Sequence, residues 1–376
     1  MLGGKFTAIE LKKINKNRIY QLIYEQKEIA RQEIARELSL SLPTVNQNLK
    51  ELQEEGLIDY VGNFKSTGGR KPQSIVPVKD ARVAIGIEIR KNYLRMVTID
   101  MFGHVQDYEK YLKVFSTNEE YGEHLAYLVN NMVEHNELKR EKILGVGISM
   151  PGIVDADMKY VVKIPSFEIQ KVSVENLIKH MEFPCIVDND ANAGAFAEYW
   201  NELPRKEQVY LSVEKGVGGS IIKKDGIRAG SHFRAGEFGH MTIVPNGRRC
   251  YCGQKGCLEA YISTARLSED FDCQIEDFFS ILASGNKEYQ KVWKEYLDYL
   301  CLGINNINMM YDSDVILGGV LAQYLQPYLG TIQEKLAAYN SFGGDGKYLK
   351  LTRYQSKSTA IGIALQLVSK FIEEIY

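Results

Sequence analysis

The sequence predicts an α/β protein in two parts, a small helical head and a larger body of alternating strands and helices. Three observations carry this. The first stretch of chain shows three amphipathic helical patterns in quick succession, followed by two short strand patterns. Beyond it, strand patterns alternate with helical ones and run repeatedly into glycine-rich or polar turns, as in α/β sheets that bind ligands at the carboxyl ends of their strands. Finally, one imidazole and three thiols crowd into residues 240–257.

A chain of 376 residues is longer than one small core needs, and the change of pattern puts a boundary between residues 78 and 79. Apolar content of 45% and charged content of 25% are those of an ordinary globular protein. The net charge of −2 gives the whole molecule no bulk attraction for polyanions, but residues 1–77 hold 12 Lys and Arg against 9 Asp and Glu. A mildly basic head on an acidic body permits nucleic-acid contact by the head. No basic start leads into an apolar leader and no run of about 18 apolar residues occurs, so a cytoplasmic protein with no membrane partner is expected. Without export, the cysteines Cys250, Cys252 and Cys257 read as metal ligands rather than disulfide partners.

In the head, Ile19, Leu22 and Ile23 share one face of a helix over about residues 10–26, and Ile34, Ala35 and Leu38 mark a second. After the turn Ser39-Leu40-Ser41, a third helix begins with Ser41 as N-cap and Pro43 in the first turn. Val45, Leu49 and Leu52 form its buried stripe, and Gly56 supplies the left-handed stop. The opposite face carries Thr44, Asn46, Gln47, Asn48 and Lys50, short polar groups suited to base edges and phosphates, although a plain solvated face has the same composition. Strand patterns at 57–61 and 73–78 flank a tip, 62–72, with the cations Lys65, Arg70 and Lys71. Helix, turn, helix and basic wing in that order predict a winged helix-turn-helix, with Thr44, Asn46, Gln47, Lys50, Arg70 and Lys71 as candidate DNA contacts.

In the body, strands are expected at 83–90, 94–100 and 104–112, then a helix near 118–135, a strand at 143–149, and a helix–strand pair ending at 186–188. Four strands run into special turns: Met150-Pro151-Gly152, Asn189-Asp190-Ala191-Asn192, Lys215-Gly216-Val217-Gly218-Gly219 and Gly318-Gly319. Four such turns favour a ligand cleft. The segment Gly236-Glu237-Phe238-Gly239-His240-Met241 precedes Cys250-Tyr251-Cys252-Gly253-Gln254-Lys255-Gly256-Cys257-Leu258-Glu259. His240, Cys250, Cys252 and Cys257 make a closed tetrahedral set for structural Zn2+, with no open position for water.

The glycine turn at 145–155, the run Asn189-Asp190-Ala191-Asn192 and the segments 236–241 and 250–259 together resemble the ROK family, which groups repressors with sugar kinases; the head, including Gly68-Gly69-Arg70-Lys71-Pro72, resembles that of the repressor branch. The resemblance implies an actin-like (ribonuclease H-like) fold of two α/β lobes. Lobe one would span about 79–190 plus a C-terminal helix at 357–376, and lobe two about 191–356 with the zinc loop. It further implies that Asn189, Asp190, Glu237, His240 and Glu259 bind sugar hydroxyls, which carboxylates and an amide can satisfy as paired acceptors and donors.

In the kinases of that family, Asp190 would be the general base. The nucleotide phosphates would rest on a glycine-rich turn after the first strand, but here that stretch reads Gly86-Ile87-Glu88-Ile89-Arg90-Lys91-Asn92. Bulky side chains stand where backbone N–H groups must approach phosphate. A sugar sensor without kinase activity is therefore expected: a regulator, as homodimer or homotetramer, of a double-stranded DNA operator. The alternatives are an ATP-dependent sugar kinase with an accessory DNA-binding domain, and a DNA-binding protein with a vestigial cleft.

Overall fold

A computed structural model describes residues 7–62, 73–155, 157–164, 167–202 and 204–375. The head is built as its caps dictate. Helix α1 (Ala8–Gln26) opens with a capping box between Thr7 and Glu10. After the short strand β1 (Ile29–Ala30), α2 (Arg31–Leu38) stops at Ser39, whose φ of 54° ends the helix. Helix α3 (Leu42–Glu54) starts at Ser41, whose hydroxyl accepts from the Thr44 N–H, and Pro43 sits in its first turn. Ile19, Ile23, Ile34, Val45, Leu49 and Leu52 are all buried. Strands β2 (Ile58–Val61) and β3 (Ser74–Pro77) pair as an antiparallel hairpin, and β1 adds to its far edge. The expected winged helix is thus present; Lys65, Arg70 and Lys71 lie outside the described residues.

The body contains two five-stranded sheets of the same design. In the first, β4 (Val83–Ile89), β5 (Tyr93–Ile99) and β6 (Val105–Leu112) form an antiparallel meander. Helix α4 (Glu119–His135) leads to β7 (Ile143–Met150), parallel to β4. A small antiparallel sheet of β8 (Ile153–Val154), β9 (Tyr160–Ile164) and β10 (Ile169–Ser173) intervenes, with a short helix α5 (Val174–Ile178), before β11 (Cys185–Asn189) pairs parallel to β7. Sequence reading expected only a helix–strand pair here; the small sheet is too short and too irregular in pattern to announce itself.

Helix α6 (Asp190–Asn201) crosses to the second sheet, where β12 (Gln208–Val213), β13 (Val217–Lys223) and β14 (Gly226–Ile227) form another meander. Helices α7 (Glu259–Ile262), α8 (Ala265–Ser268), α9 (Ile275–Ala283) and α10 (Lys287–Tyr311) lead to β15 (Asp314–Gly318), parallel to β12. After α11 (Leu329–Tyr339), β16 (Leu349–Leu351) pairs parallel to β15, and α12 (Ser358–Glu373) closes the chain. The orders β11-β7-β4-β5-β6 and β14-β13-β12-β15-β16 are the same topology twice.

Strand β4 is buried along its whole length because both faces of its sheet are covered. Ile85, Ile87 and Ile89 face α4, whereas Ala84 faces the layer containing α12. Helices α6 and α12 lie together between the sheets at backbone contact. A Cβ on Gly362 of α12 would stand 1.7 Å from the Ala193 carbonyl oxygen of α6, and one on Gly86 of β4 would stand 2.0 Å from that of Ala360. Glycine is required where backbones come this close.

Head and body share one core. Ile19, Tyr20, Ile23 and Tyr24 of α1 belong to the same apolar cluster as Ile361, Leu365, Val368 and Ile372 of α12. The Tyr24 hydroxyl donates to the Met101 carbonyl at 2.5 Å, and the Asn17 amide donates to the Ile372 carbonyl at 2.6 Å.

Candidate functional site

The cysteine loop has no core of its own and folds on backbone bonds and tight turns. Cys250 N–H donates to the Gln254 carbonyl, Gly253 N–H donates to the Cys250 carbonyl, and single bridges join Thr242 with Cys257 and Arg249 with Lys255. Gly256 (φ 83°) is forced, since a Cβ there would lie 1.8 Å from the Val244 carbonyl oxygen. The outcome is that one donor atom from each of His240, Cys250, Cys252 and Cys257 lies within 4.8 Å of the others. The sulfurs of Cys252 and Cys257 are 3.7 Å apart, and Cys250 Sγ is 3.8 Å from His240 Nδ1. Burial pushes the Cys250 and Cys257 thiols up, so an incoming cation must displace their protons. A group of three thiols and one imidazole at this spacing can hold a metal ion.

A cleft of about 1200 Å³ opens between the two sheets, with Asn189, Asp190, Glu237 and His240 on its wall. Four of the five predicted hydroxyl ligands are thereby brought together. Asn189 caps α6 through its side-chain oxygen, which accepts from the N–H groups of Ala191 and Asn192, while its amide donates to the Gly152 carbonyl at 2.8 Å. His240 turns Nδ1 to the thiols and leaves Nε2 3.9 Å from Glu237 Oε2.

Glu259 differs from the expectation. It is 3% exposed and lies behind the wall. Its Oε2 accepts from the Val217 N–H at 2.7 Å and from the Tyr251 hydroxyl at 3.0 Å, while Oε1 faces Cys250 Sγ at 3.5 Å. Burial pushes this carboxyl up, against the pull of those donors. Tyr251 is the half-exposed residue in front of it, edge-on to the His240 ring at 5.6 Å between centroids.

Arg90, at the carboxyl end of β4, is the group that sequence reading missed. Its Nη1 donates to Asp190 Oδ2 at 2.7 Å, its Nε to Glu88 Oε1 at 2.7 Å, and its Nη2 to Glu214 Oε1 at 3.3 Å. Arg95 adds a second guanidinium on Glu88 Oε2 at 3.0 Å. Burial alone would favour discharging Arg90, but Glu214, Glu88 and Asp190 outweigh it and hold its pKa well above the ordinary value. The Glu214 carboxyl is pushed up by burial against the pull of Arg90. Three carboxylates and two guanidiniums thus fill the head of the cleft, and the acid that would serve as a kinase base is paired to an internal cation. The signal in the sequence was Arg90 itself, standing in place of a glycine turn; Glu88 is two residues away, but Asp190 and Glu214 are 100 and 124 residues away.

On the head, α3 presents Asn46, Gln47 and Lys50 to solvent. Thr44 is half-buried, with its hydroxyl 2.8 Å from that of Ser41. Asn48 belongs to the interior: it is buried and its amide donates to the Thr44 carbonyl at 2.8 Å. It drops out of the polar reading face because it lies beside Leu49 and one turn from Val45 and Leu52 on the packed side.

A doubled sheet topology with a polar cleft between the copies, a thiol-rich loop at its side and a winged helix at its N-terminus defines a class shared by sugar kinases and regulators. The chain belongs to the ROK family, which it matches over residues 84–370, and residues 13–59 match the winged helix-turn-helix DNA-binding family. It is 24% identical over 377 residues to the xylose repressor of Bacillus subtilis (strain 168), covering 97% of both chains. Among solved structures it resembles a ROK family transcriptional regulator homologous to the MLC protein of E. coli, with TM-score 0.79, 22% identity, and 97% of this chain and 98% of that one covered. A ROK family glucokinase from Streptomyces griseus, in complex with glucose and AMPPNP, shares the fold at TM-score 0.62 and 21% identity, covering 75% of this chain and 98% of its own. Among the described residues, no helix is long and apolar enough to cross a membrane.

Proposed function

We propose that this chain is a sugar-responsive transcriptional repressor. Residues 1–78 read a double-stranded DNA operator, and the ROK body, residues 79–376, binds a sugar between its lobes. The observation that carries this reading is a winged helix built into the same apolar core as a body with a cleft lined by Asn189, Asp190, Glu237 and His240. Asn46, Gln47 and Lys50 meet bases and phosphates from the exposed face of α3, Thr44 supports them, and Arg70 and Lys71 act from the wing. Pairing of two heads in a homodimer, or in a homotetramer, matches half-sites spaced by turns of the duplex. Sugar binding shifts the population between arrangements of the two heads and so changes operator affinity.

Asn189, Asp190, Glu237 and His240 contact the sugar hydroxyls directly. Glu259 joins them through Tyr251, or after that hydroxyl moves aside. The metal we propose is Zn2+, held by His240, Cys250, Cys252 and Cys257. Sulfurs bound tetrahedrally at about 2.3 Å stand roughly 3.8 Å apart, close to the 3.7 Å between Cys252 and Cys257. Its contribution is structural, bracing the loop so that His240 Nε2 is aimed at the cleft.

The body is a sensor rather than a kinase. Its phosphate turn is degenerate, and the Arg90 cluster fills the head of the cleft with paired side chains in place of the open backbone N–H groups that a nucleotide polyphosphate needs. Incubation with ATP, magnesium and a panel of monosaccharides tests this: no sugar phosphate is expected, and turnover would restore the kinase reading that the presence of Asp190 favours. The sensor itself is tested by titrating sugars against an operator-bound sample. One carbohydrate is expected to change operator affinity by about 5- to 150-fold, the usual span of such coupling; no change with any of them would sink the reading. Arg70→Ala with Lys71→Ala is expected to weaken DNA binding and to lower the slope of log K against log salt by about 2, at roughly 0.9 per lost phosphate contact.

A further inference from the structure

The site and the reader are joined by one piece of secondary structure. Helix α6 begins at Asp190, inside the cleft, and runs to Asn201. Its first turn is held by three sets of bonds at the cleft: Asp190 to Arg90, the Asn189 amide to the Gly152 carbonyl, and the Asn189 cap itself. Near its other end stands Trp200. That ring lies 5.9 Å from the ring of Tyr24 on α1, and Tyr24 stacks on Phe102 at 5.0 Å with an interplanar angle of 16°. The Lys27 ammonium sits 4.2 Å and 3.9 Å from the centroids of those two rings. Between its ends, α6 is in backbone contact with α12 at Ala193 and Gly362, and the last turn of α12 carries the Ile372 and Glu373 carbonyls that accept from Asn17 of α1.

We infer that α6, coupled to α12, is the lever by which an occupied cleft reorients the DNA-reading head, with Trp200 against Tyr24 as its output contact. The inference rests on the sugar-sensor reading. Its physical basis is that sugar hydroxyls at Asp190 and Asn189 compete for the bonds that now fix the first turn of α6, so the ligand interacts differently with the two positions of the helix. A hydrogen-bonded helix carries a displacement along its axis rather than absorbing it. The close fit at Gly362 obliges α12 to move with α6, so the motion reaches α1 at two points. A cavity of about 540 Å³ beside this joint, lined by Tyr24, Lys27, Phe102, Trp200, Arg205 and Ile372 among others, leaves the rings room to change partners.

Two measurements test it on the full chain, using the sugar that the affinity titration identifies. The chain has two tryptophans, and Trp293→Phe leaves Trp200 as the sole indole. Ten residues of helix put Trp200 about 15 Å from Asp190, too far for a sugar to touch. Sugar is expected to shift the Trp200 emission, with the same midpoint as binding; unchanged emission on saturation overturns the lever. In the second measurement, Trp200→Leu is expected to bind sugar and operator separately within about threefold of the parent, while the factor by which sugar changes operator affinity falls towards one. By reciprocity, operator then ceases to change sugar affinity in the same variant. A variant that keeps the parental factor overturns the inference while leaving the sensor reading intact. A parent with no sugar response removes both.

Discussion

The two sheets of the body are one topology used twice, and they differ most where the first strand turns into the second. In the first copy the residue after that strand is Arg90, followed by Lys91 and Asn92; in the second it is Glu214, followed by Lys215 and Gly216. These equivalent positions meet each other across the cleft, Nη2 to Oε1 at 3.3 Å. The second copy keeps small residues behind its turn, whereas the first has replaced backbone room with a guanidinium and two more acids around it. Two similar turns thus face one space, and a charge of each sign ties the lobes together there. The thiol-rich loop belongs to the second copy alone, whereas the first has the Arg90 cluster at the end of its first strand and α12 packed on its sheet.

That contrast predicts a ranking of damage. Cys257→Ser should be the most severe change, because removing one ligand of a closed set releases the metal. Such sites contribute roughly 10–16 kcal/mol in small domains, so a loss on the order of 5 kcal/mol is expected. At roughly 2–4 °C per kcal/mol this lowers Tm by about 10 °C or more. Metal content by elemental analysis, alongside a thermal scan, checks it; full retention of metal would break the proposed ligand set. Arg90→Met comes next, at about 3–5 kcal/mol, because it strands buried carboxylates without their cation. Chemical denaturation measures it, and an unchanged midpoint would mean that the cluster does not tie the lobes. Glu214→Gln should be milder, about 1–2 kcal/mol, since Arg90 keeps Glu88 and Asp190 and the cluster loses only its surplus charge. A larger effect for Glu214→Gln than for Arg90→Met would reverse the assignment of Arg90 as the hub.

Much of this architecture is written locally. The caps at Ser41 and Gly56, the stripe of Val45, Leu49 and Leu52, and the alternation of the β4–β6 meander all depend on neighbours within a few residues, and the structure has them where the pattern puts them. The thiol group was legible for the same reason, since its four members lie within residues 240–257. What escaped is long-range. The pairing of Arg90 with Asp190 and Glu214 and the Tyr24–Trp200 contact arise only when distant segments pack, and no periodicity encodes them; the covering of Glu259 by Tyr251 depends on the folding of the loop between them. Asn48 is an intermediate case: its place beside Leu49 put it on the packed side, but a polar side chain reads as exposed until its own backbone bond is seen.

The common core of head and body has a bearing on how such proteins can be cut and recombined. A fragment ending at residue 78 would present Tyr20, Ile23 and Tyr24 to water without the α12 surface that now covers them. It should aggregate or stay molten, and protease digestion of the intact chain should yield no durable small fragment. Backbone amides in α1 should exchange with deuterated solvent nearly as slowly as those in α12, since opening one exposes the other. Grafting a foreign reading head onto this body would then succeed only if the graft brought a matching α1 face, which makes the two units a single inherited block rather than exchangeable modules.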